Sequence, residues 1–434
     1  MNTTIEKSLF KQLAEDLDKS ILTTDSDYVT ELRKEAFGKF ESEGFPTVKN
    51  EDWKYTNVFR ILNRPYDLEY AVENANIDSN IAQIADFDAY RLININGNYV
   101  DNPEEIIQEE GVTALPIAKA YSQEGFVKNF AQHASQDGST FVTLNTALAN
   151  SGLFLHVEKN VKVSKPIHII HVSHGSEEVF GQTRNLIIGE LGAEIEIVES
   201  FVSYENEGDK LFNNVTEISL AENAKMQHYY LQTSDPKAKY VSHTEIYQKR
   251  YSLYNNYNCN FPGASFVRHD INVRLDDEDV ESHLYGIALT NEDQFVDTHS
   301  IMDHMKPNCE SYEWYKNITQ GTSTAVFNGK IFVREDAQKT NAFQQNNNML
   351  IGEKSAVYSK PQLEIFADDV KCSHGCTIGQ MDDEALFYLR ARGIGKEKAN
   401  TMLVQAFAYD VTTRFENESI RTYVEHLIEK GLGL

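Results

Sequence analysis

Glu194-Ile195-Glu196-Ile197-Val198 alternates carboxylates with branched apolar side chains at a period of two, and that period decides the fold. Successive side chains of a strand face opposite ways, so Ile195 and Ile197 share one face and the glutamates the other. The same texture recurs in Leu92-Ile93-Asn94-Ile95, Phe154-Leu155-His156-Val157, Ile167-His168-Ile169-Ile170 and Gln362-Leu363-Glu364-Ile365-Phe366. Gly, Asn, Asp or Pro bounds each run, as at strand ends. No helical stripe of convincing length interrupts this texture between residues 91 and 380. Turn-like segments near Gly192, Asn223, Lys249, Asp277 and Pro307 recur about every 30 residues, the spacing of stacked solenoid coils. A two-sheet sandwich of this length is disfavoured. The expectation is a mainly β protein with a β-solenoid core over 91–381.

Both flanks read as helix. In the first 90 residues Leu9, Leu13 and Leu17 lie four apart, and Leu32, Ala36, Phe37 and Phe40 form an amphipathic stripe. Gly44-Phe45-Pro46 then turns the chain into Trp53-Lys54-Tyr55-Thr56, where Trp53 is expected to anchor the helical region on the next domain. Residues 382–434 start with Asp382-Asp383-Glu384, acidic residues suited to a helix N-terminus. Ala385, Leu386, Leu389 and Ala391 follow, with Gly393 as the stop. A second helix from about Lys396 carries Ala399, Met402, Leu403, Phe407 and Val411, and a third Ile420, Tyr423, Val424 and Leu427. Such a bundle either caps the open edge of the solenoid or offers an apolar groove to a partner. The pattern does not choose between these uses.

Asp and Glu outnumber Lys and Arg 66 to 40, giving a net charge of -26. Polyanions are held by Lys and Arg, so nucleic acid and anionic membrane are poor partners. No stretch has the apolar length of a signal peptide or a spanning helix, which points to a cytoplasmic protein. Four cysteines, at 259, 309, 372 and 376, are too few for a disulfide framework.

Most candidate chemical motifs dissolve on inspection. His168 and His171 have opposite strand parity and cannot share an ion, so with His174 they read as structural or surface histidines. His299 and His304 would meet only through a turn, and Asp276-Asp277-Glu278-Asp279 reads as a solvated loop. No phosphate-cradling glycine motif and no nucleophile elbow is present, so the chain has no visible means of binding ATP itself.

The segment Val370-Lys371-Cys372-Ser373-His374-Gly375-Cys376 differs, with two thiols and an imidazole within five residues. On an extended strand Cys372 and His374 share a face, about 7 Å apart at the backbone. Three ligands in a line do not make a closed tetrahedral zinc site. An open site, completed by another chain, fits thiolate and imidazole chemistry better. The competing reading has Val370, Cys372 and His374 facing inward as a core stack. Spacing alone leaves both standing.

Lys371-Cys372-Ser373-His374-Gly375, Thr377-Ile378-Gly379 and Asp383-Glu384-Ala385-Leu386-Phe387-Tyr388-Leu389-Arg390-Ala391-Arg392-Gly393 closely resemble the C-terminal signature of the SufB/SufD family. Gln345-Asn346-Asn347-Asn348-Met349-Leu350, Lys360-Pro361-Gln362-Leu363-Glu364-Ile365 and Asp368-Asp369-Val370 resemble its preceding block. The likeness is strongest over 298–409. Chain length and Trp53-Lys54-Tyr55-Thr56 are similar to the SufD branch. The resemblance implies a right-handed parallel β-helix between helical domains, acting as a non-ATPase scaffold in cytosolic iron–sulfur cluster assembly. It implies a SufB-like paralogue at one β-helix edge and a SufC-like ABC ATPase on the C-terminal helices; whether the chain forms a homodimer when alone stays open. No cofactor is expected to be permanently bound; iron or a nascent cluster would be held transiently, shared with a partner. Carried over by position, His374 is the first candidate ligand and Cys372 the second, while Cys376 stands where many relatives have a small residue. If Cys372 and His374 are buried, closure of the ATPase subunits would expose them. The competing functions are a structural zinc-binding interaction module built on Cys372, His374 and Cys376, and a solenoid enzyme.

Overall fold

Two sheets, parallel except for an antiparallel last pair at one end of each, face each other and form the body of the protein. The computed structural model describes residues 12–15, 17, 26–62, 64, 66–67, 77–78, 80–134 and 139–433. One sheet runs Tyr90–Ile95 (β1), Ile167–Gly175 (β5), Glu194–Asn206 (β7), Lys225–Gln232 (β9), Leu253–Asn260 (β11), Glu281–Thr290 (β13), Glu310–Thr319 (β15), Asn341–Leu350 (β17) and Lys371–Gly379 (β19). Asn98–Tyr99 (β2) closes its far edge as an antiparallel partner of β1. The other sheet runs Val112–Pro116 (β3), Leu153–Val157 (β4), Val179–Gly189 (β6), Lys210–Leu220 (β8), Ala238–Gln248 (β10), Phe266–Leu275 (β12), Phe295–His304 (β14), Thr324–Val333 (β16) and Ala356–Ile365 (β18). From β4 onward the chain alternates between sheets, and each strand pairs in parallel with the strand two places on. The fold is therefore the expected β-solenoid. Glu281 pairs with Glu310, Glu310 with Asn341 and Asn341 with Lys371, so successive coils are 29, 31 and 30 residues long.

The corners explain the period. Gly192, Asn223, Tyr251, Asp279, Asn308 and Lys339 all have positive φ, between 57° and 69°. Each occupies one corner of a coil, and backbone bonds tie the corners together, as from Asn223 N to Arg250 O and from Asn308 N to Gln338 O. Gly and Asn tolerate this left-handed conformation best, which is why the turn signal was readable at Gly192 and Asn223. Tyr251 and Lys339 adopt it because the register on both sides dictates it.

Inside, Ile169, Ile195, Ile197, Ile218, Met226, Ile246, Ile271 and Leu284 belong to one continuous apolar core. Each such buried side chain contributes roughly 1.5–3 kcal/mol. The outer faces are covered by the flanks. Asp27–Glu43 (α1), capped by the Ser26 hydroxyl, buries Ala36, Phe37 and Phe40 with Leu13 and Leu17; Leu9 lies outside the described residues. The segment 91–150 departs from uninterrupted strand texture. After Phe59–Leu62 (α2), it holds the short helices Pro103–Ile106 (α3) and Glu124–Asn129 (α4) and the nine-residue Thr140–Leu148 (α5). All eight residues Phe141 to Leu148 of α5 are buried, Thr143, Asn145 and Thr146 included, so no solvent-facing polar stripe marks it as amphipathic. Phe141 and Leu144 pack with Trp53 against Phe180, Leu211, Val241 and Phe266 of the second sheet.

The C-terminal helices are Asp383–Ala391 (α6), Lys396–Thr412 (α7) and Glu418–Gly431 (α8). Asp382 caps α6, accepting from the amides of Glu384 and Ala385, and Gly393 stops it with φ of 87°. On α7 the buried face is Ala399, Val404, Ala408 and Val411. Met402, expected on that face, is exposed, because the helix is rotated towards the sheet. Both α7 and α8 lie on the outer face of the first sheet, where Phe415 wedges against Tyr229 and Tyr257. That packing also half-buries the outward Glu196, which accepts from Asn417 at 2.8 Å. They do not cap the solenoid end: β18 and β19 remain edge strands.

Candidate functional site

The site lies on the last coil because of register. Among the described residues strand β19 pairs with β17 alone, setting Cys372 beside Ala342, His374 beside Gln344 and Cys376 beside Asn346. Ala342, Gln344 and Asn346 are at most 2% exposed, so they form the inward row of their coil. Cys372, His374 and Cys376 continue that row one coil further, where no further strand of the described residues lies over them. Hence His374 and Cys376 are exposed, while Cys372 is half-buried and packs with Val370 on the main core. The core-stack reading holds for Val370 and Cys372 but not for His374, and the premise that both site residues are buried fails at His374 for the same reason.

Burial pushes the Cys372 thiol above its ordinary value, although the Ala342 backbone partly offsets this. Cys376 Sγ donates to Ser359 Oγ of β18 at 3.2 Å and receives a long contact of 3.9 Å from Asn348 Nδ2. Ser359 in turn donates to Asn346 Oδ1 at 2.7 Å. Below His374, the Gln344 Nε2 donates to the carboxylate of Glu313, which is fully buried on β15. Burial pushes Glu313 up to about 7, with the Gln344 bond pulling the other way. Among the described residues no three His, Cys, Asp or Glu side chains converge on one ion position. Alternate residues of a strand stand about 6.6 Å apart, too far to share a single ion without rearrangement.

The other candidates are placed elsewhere. Cys259 and Cys309 are buried in the core. His168 bonds Ser200 and His174 bonds the Tyr204 carbonyl, while His171 and His228 both bond Glu199 at 2.8 Å. Burial raises Glu199, but its two imidazoles outweigh that and hold it well below the usual carboxylate range. His304 bonds Ser311 and His299 pairs with Asp297, so these two do not converge. Asp276 and Asp279 are tied to Lys249 and Arg250 at 2.8 and 3.0 Å, so the acidic loop is pinned to its neighbours.

The Trp53 turn does more than anchor. Trp53 stacks on Phe141 and carries the Arg268 guanidinium 3.9 Å above its ring. Arg268 is bonded to Asp297 and Asp270, and Thr56 also donates to Asp297. Beyond Trp53, Tyr55 stacks on Tyr358 and Glu51 pairs with Lys360, both on β18 at the open end.

Two surfaces are left bare. Around the open end Tyr358, Ile365, Phe366 and Ile378 are large exposed apolar side chains. Helix α6 buries no residue, and its Phe387 is 73% exposed beside Tyr388. No helix among the described residues is long and apolar enough to cross a membrane.

Gln344 and Glu313 were not singled out in the sequence. The usable signal was the coil period: Glu313, Gln344 and His374 occur at steps of 31 and 30 residues and share strand parity.

Comparison with known proteins gives two adjacent family matches. Residues 4–169 match the SufBD protein N-terminal region, and residues 171–407 match the SufBD core domain of SUF-system FeS cluster assembly. The chain is 31% identical over 385 residues to the iron–sulfur cluster assembly protein SufD of Escherichia coli, covering 88% of each chain. It is 30% identical over 438 residues to the chloroplastic protein ABCI7 of Arabidopsis thaliana, covering 97% of this chain and 90% of that one. Against SufD of Bacillus subtilis the identity is 26% over 302 residues, covering 68% and 67%.

Proposed function

This chain belongs to the SufBD family of SUF-system iron–sulfur cluster assembly proteins and is SufD-like, and from that premise we propose that it is a non-ATPase scaffold whose last coil receives iron. The observation that carries the reading is the row Cys372–His374–Cys376, turned inward on a coil that no further strand or helix of the described residues covers. An uncovered pair of edge strands presents unpaired backbone groups and calls for a partner. A SufB-like paralogue that extends the coil stack would cover Tyr358, Ile365, Phe366 and Ile378 and bring its own ligands over His374. Imidazole then supplies a borderline ligand to incoming iron, with the Cys372 and Cys376 thiols as further donors. Iron is cargo in this scheme, shared with the partner and passed on. Helix α6 is the docking surface for a SufC-like ATPase, since it buries no residue of its own and its Phe387 stays 73% exposed. The zinc-module alternative fits less well, because a straight strand holds its three donors apart.

The test is co-expression with the paralogue and ATPase, followed by iron–sulfur reconstitution. The expected result is a stable three-protein complex whose cluster yield drops at least tenfold on His374→Ala with assembly intact. A wild-type chain that leaves both co-expressed partners behind on purification, or a His374→Ala complex with full yield, sinks the reading.

A further inference from the structure

Gln344 is the one member of the inward row beneath the site with an unsatisfied buried atom. It is 0% exposed, its Nε2 donates to Glu313, and its Oε1 has no hydrogen-bond partner. Leaving a buried carbonyl unpaired costs about 1–3 kcal/mol, so such an atom needs an explanation. Its neighbours on β17 are otherwise provided for: Asn346 bonds the Tyr315 carbonyl, and Asn348 bonds Asn346 and the Thr377 carbonyl. One coil above Gln344, directly in register, stands His374. In-register residues of parallel strands lie about 4.8 Å apart, within hydrogen-bond reach of two side chains this long. The facing sheet keeps the space open. A Cβ at Gly329 would stand 2.5 Å from Gln344 Nε2, so any larger residue there would displace the amide.

We propose that Gln344, oriented by Glu313, is the positioning residue of the site, its Oε1 accepting the imidazole N–H of His374 that does not face iron. The inference rests on the reading of His374 as an iron ligand. Glu313 takes the amide NH2, which fixes the carbonyl end of Gln344 towards the next coil. An acceptor there selects one tautomer of His374 and one ring orientation, as outer-shell partners of metal-bound histidines do. The exposed ring gains this order when iron and the paralogue arrive.

The experiment measures iron(II) affinity of the assembled complex for wild type, Gln344→Leu, Glu313→Leu, Glu313→Gln and His374→Ala. Gln344→Leu and Glu313→Leu are each expected to weaken iron(II) binding about 10–100-fold, the usual effect of losing an outer-shell partner. Glu313→Gln keeps an acceptor for the Gln344 amide and is expected to stay within about threefold of wild type. A merely structural role would separate the two Glu313 variants in thermal unfolding but not in the iron(II) affinity of the folded complex. Thermal unfolding and complex assembly are followed in parallel, and the Glu313 pair decides the matter if Gln344→Leu does not fold. If His374→Ala weakens iron binding but both leucine variants bind like wild type, the positioning role is overturned and the ligand role survives. If His374→Ala itself binds like wild type, the ligand role falls first.

Discussion

Thiol labelling of the isolated chain gives a graded readout of the four cysteines. An ordinary solvent-facing thiol, with a pKa of about 8.5, is about 9% thiolate at pH 7.5. Burial pushes Cys309 up to about 11, a thiolate share of about 0.03% and a rate penalty of roughly 300-fold before access is considered. Cys259 is fully buried and pushed higher still. Cys376 is exposed, and Cys372 is half-buried with its thiol raised. A disulfide exchange reagent followed by peptide mass spectrometry should therefore find Cys376 modified first, Cys372 more slowly, and Cys259 and Cys309 only after denaturation. Adding the paralogue should slow Cys376 at least tenfold, because its coil becomes covered. The decisive comparison is Cys376 against Cys309. Equal rates would mean the last coil is not open, and fast labelling of Cys376 that the paralogue leaves unchanged would place the interface elsewhere.

Two further outcomes concern stability. Burial, the largest effect at each, pushes His168, His269 and His304 down to about 3, below an unfolded value near 6.5, so the unfolded chain takes up their protons first. Their contribution is complete above pH 6.5 and is lost as pH falls towards 3. Glu313, raised to about 7, opposes this between about pH 4.5 and 7. At up to about 1.4 kcal/mol per pH unit each, three histidines against one glutamate leave a net loss of roughly 2–3 kcal/mol per unit between pH 6.5 and 4.5. Urea midpoints that stay level or rise from pH 7 to pH 5 would contradict this. Asp297→Ala strips Arg268, buried against Trp53, of one carboxylate and leaves Thr56 without its acceptor, at a cost of about 3–5 kcal/mol. Fluorescence of Trp53 in a Trp314→Phe background should report loosening of the N-terminal region at lower denaturant than in the parent; coincident transitions would refute the lock.

The solenoid was legible because its rules are local and repeated. Ile195 and Ile197 alternate with glutamates, and Gly192 and Asn223 tolerate the corner conformation, so period and strand character appear without any knowledge of contacts. Helix α5 escaped notice for the opposite reason: it is buried on every side, its Thr143, Asn145 and Thr146 included, so no solvent-facing polar stripe sets its periodicity. The role of Trp53 as an anchor was visible, but its partners Arg268 and Asp297 lie more than 200 residues away and carry no local signal. Met402 was misplaced on α7 because several faces of that helix are similarly apolar, and only the sheet beneath selects Val404 and Ala408.

For the site, the sequence by itself determined that Cys372, His374 and Cys376 share a strand face, since strand parity is fixed by the backbone. It did not determine whether that face looks into a core or into solvent. The tertiary structure decided this by ending both sheets at β18 and β19 and laying α7 and α8 on a sheet face, away from the end of the stack. Only the coil register joined His374 to Gln344 and Glu313, because residues 30 apart become neighbours only once the chain has turned a full coil.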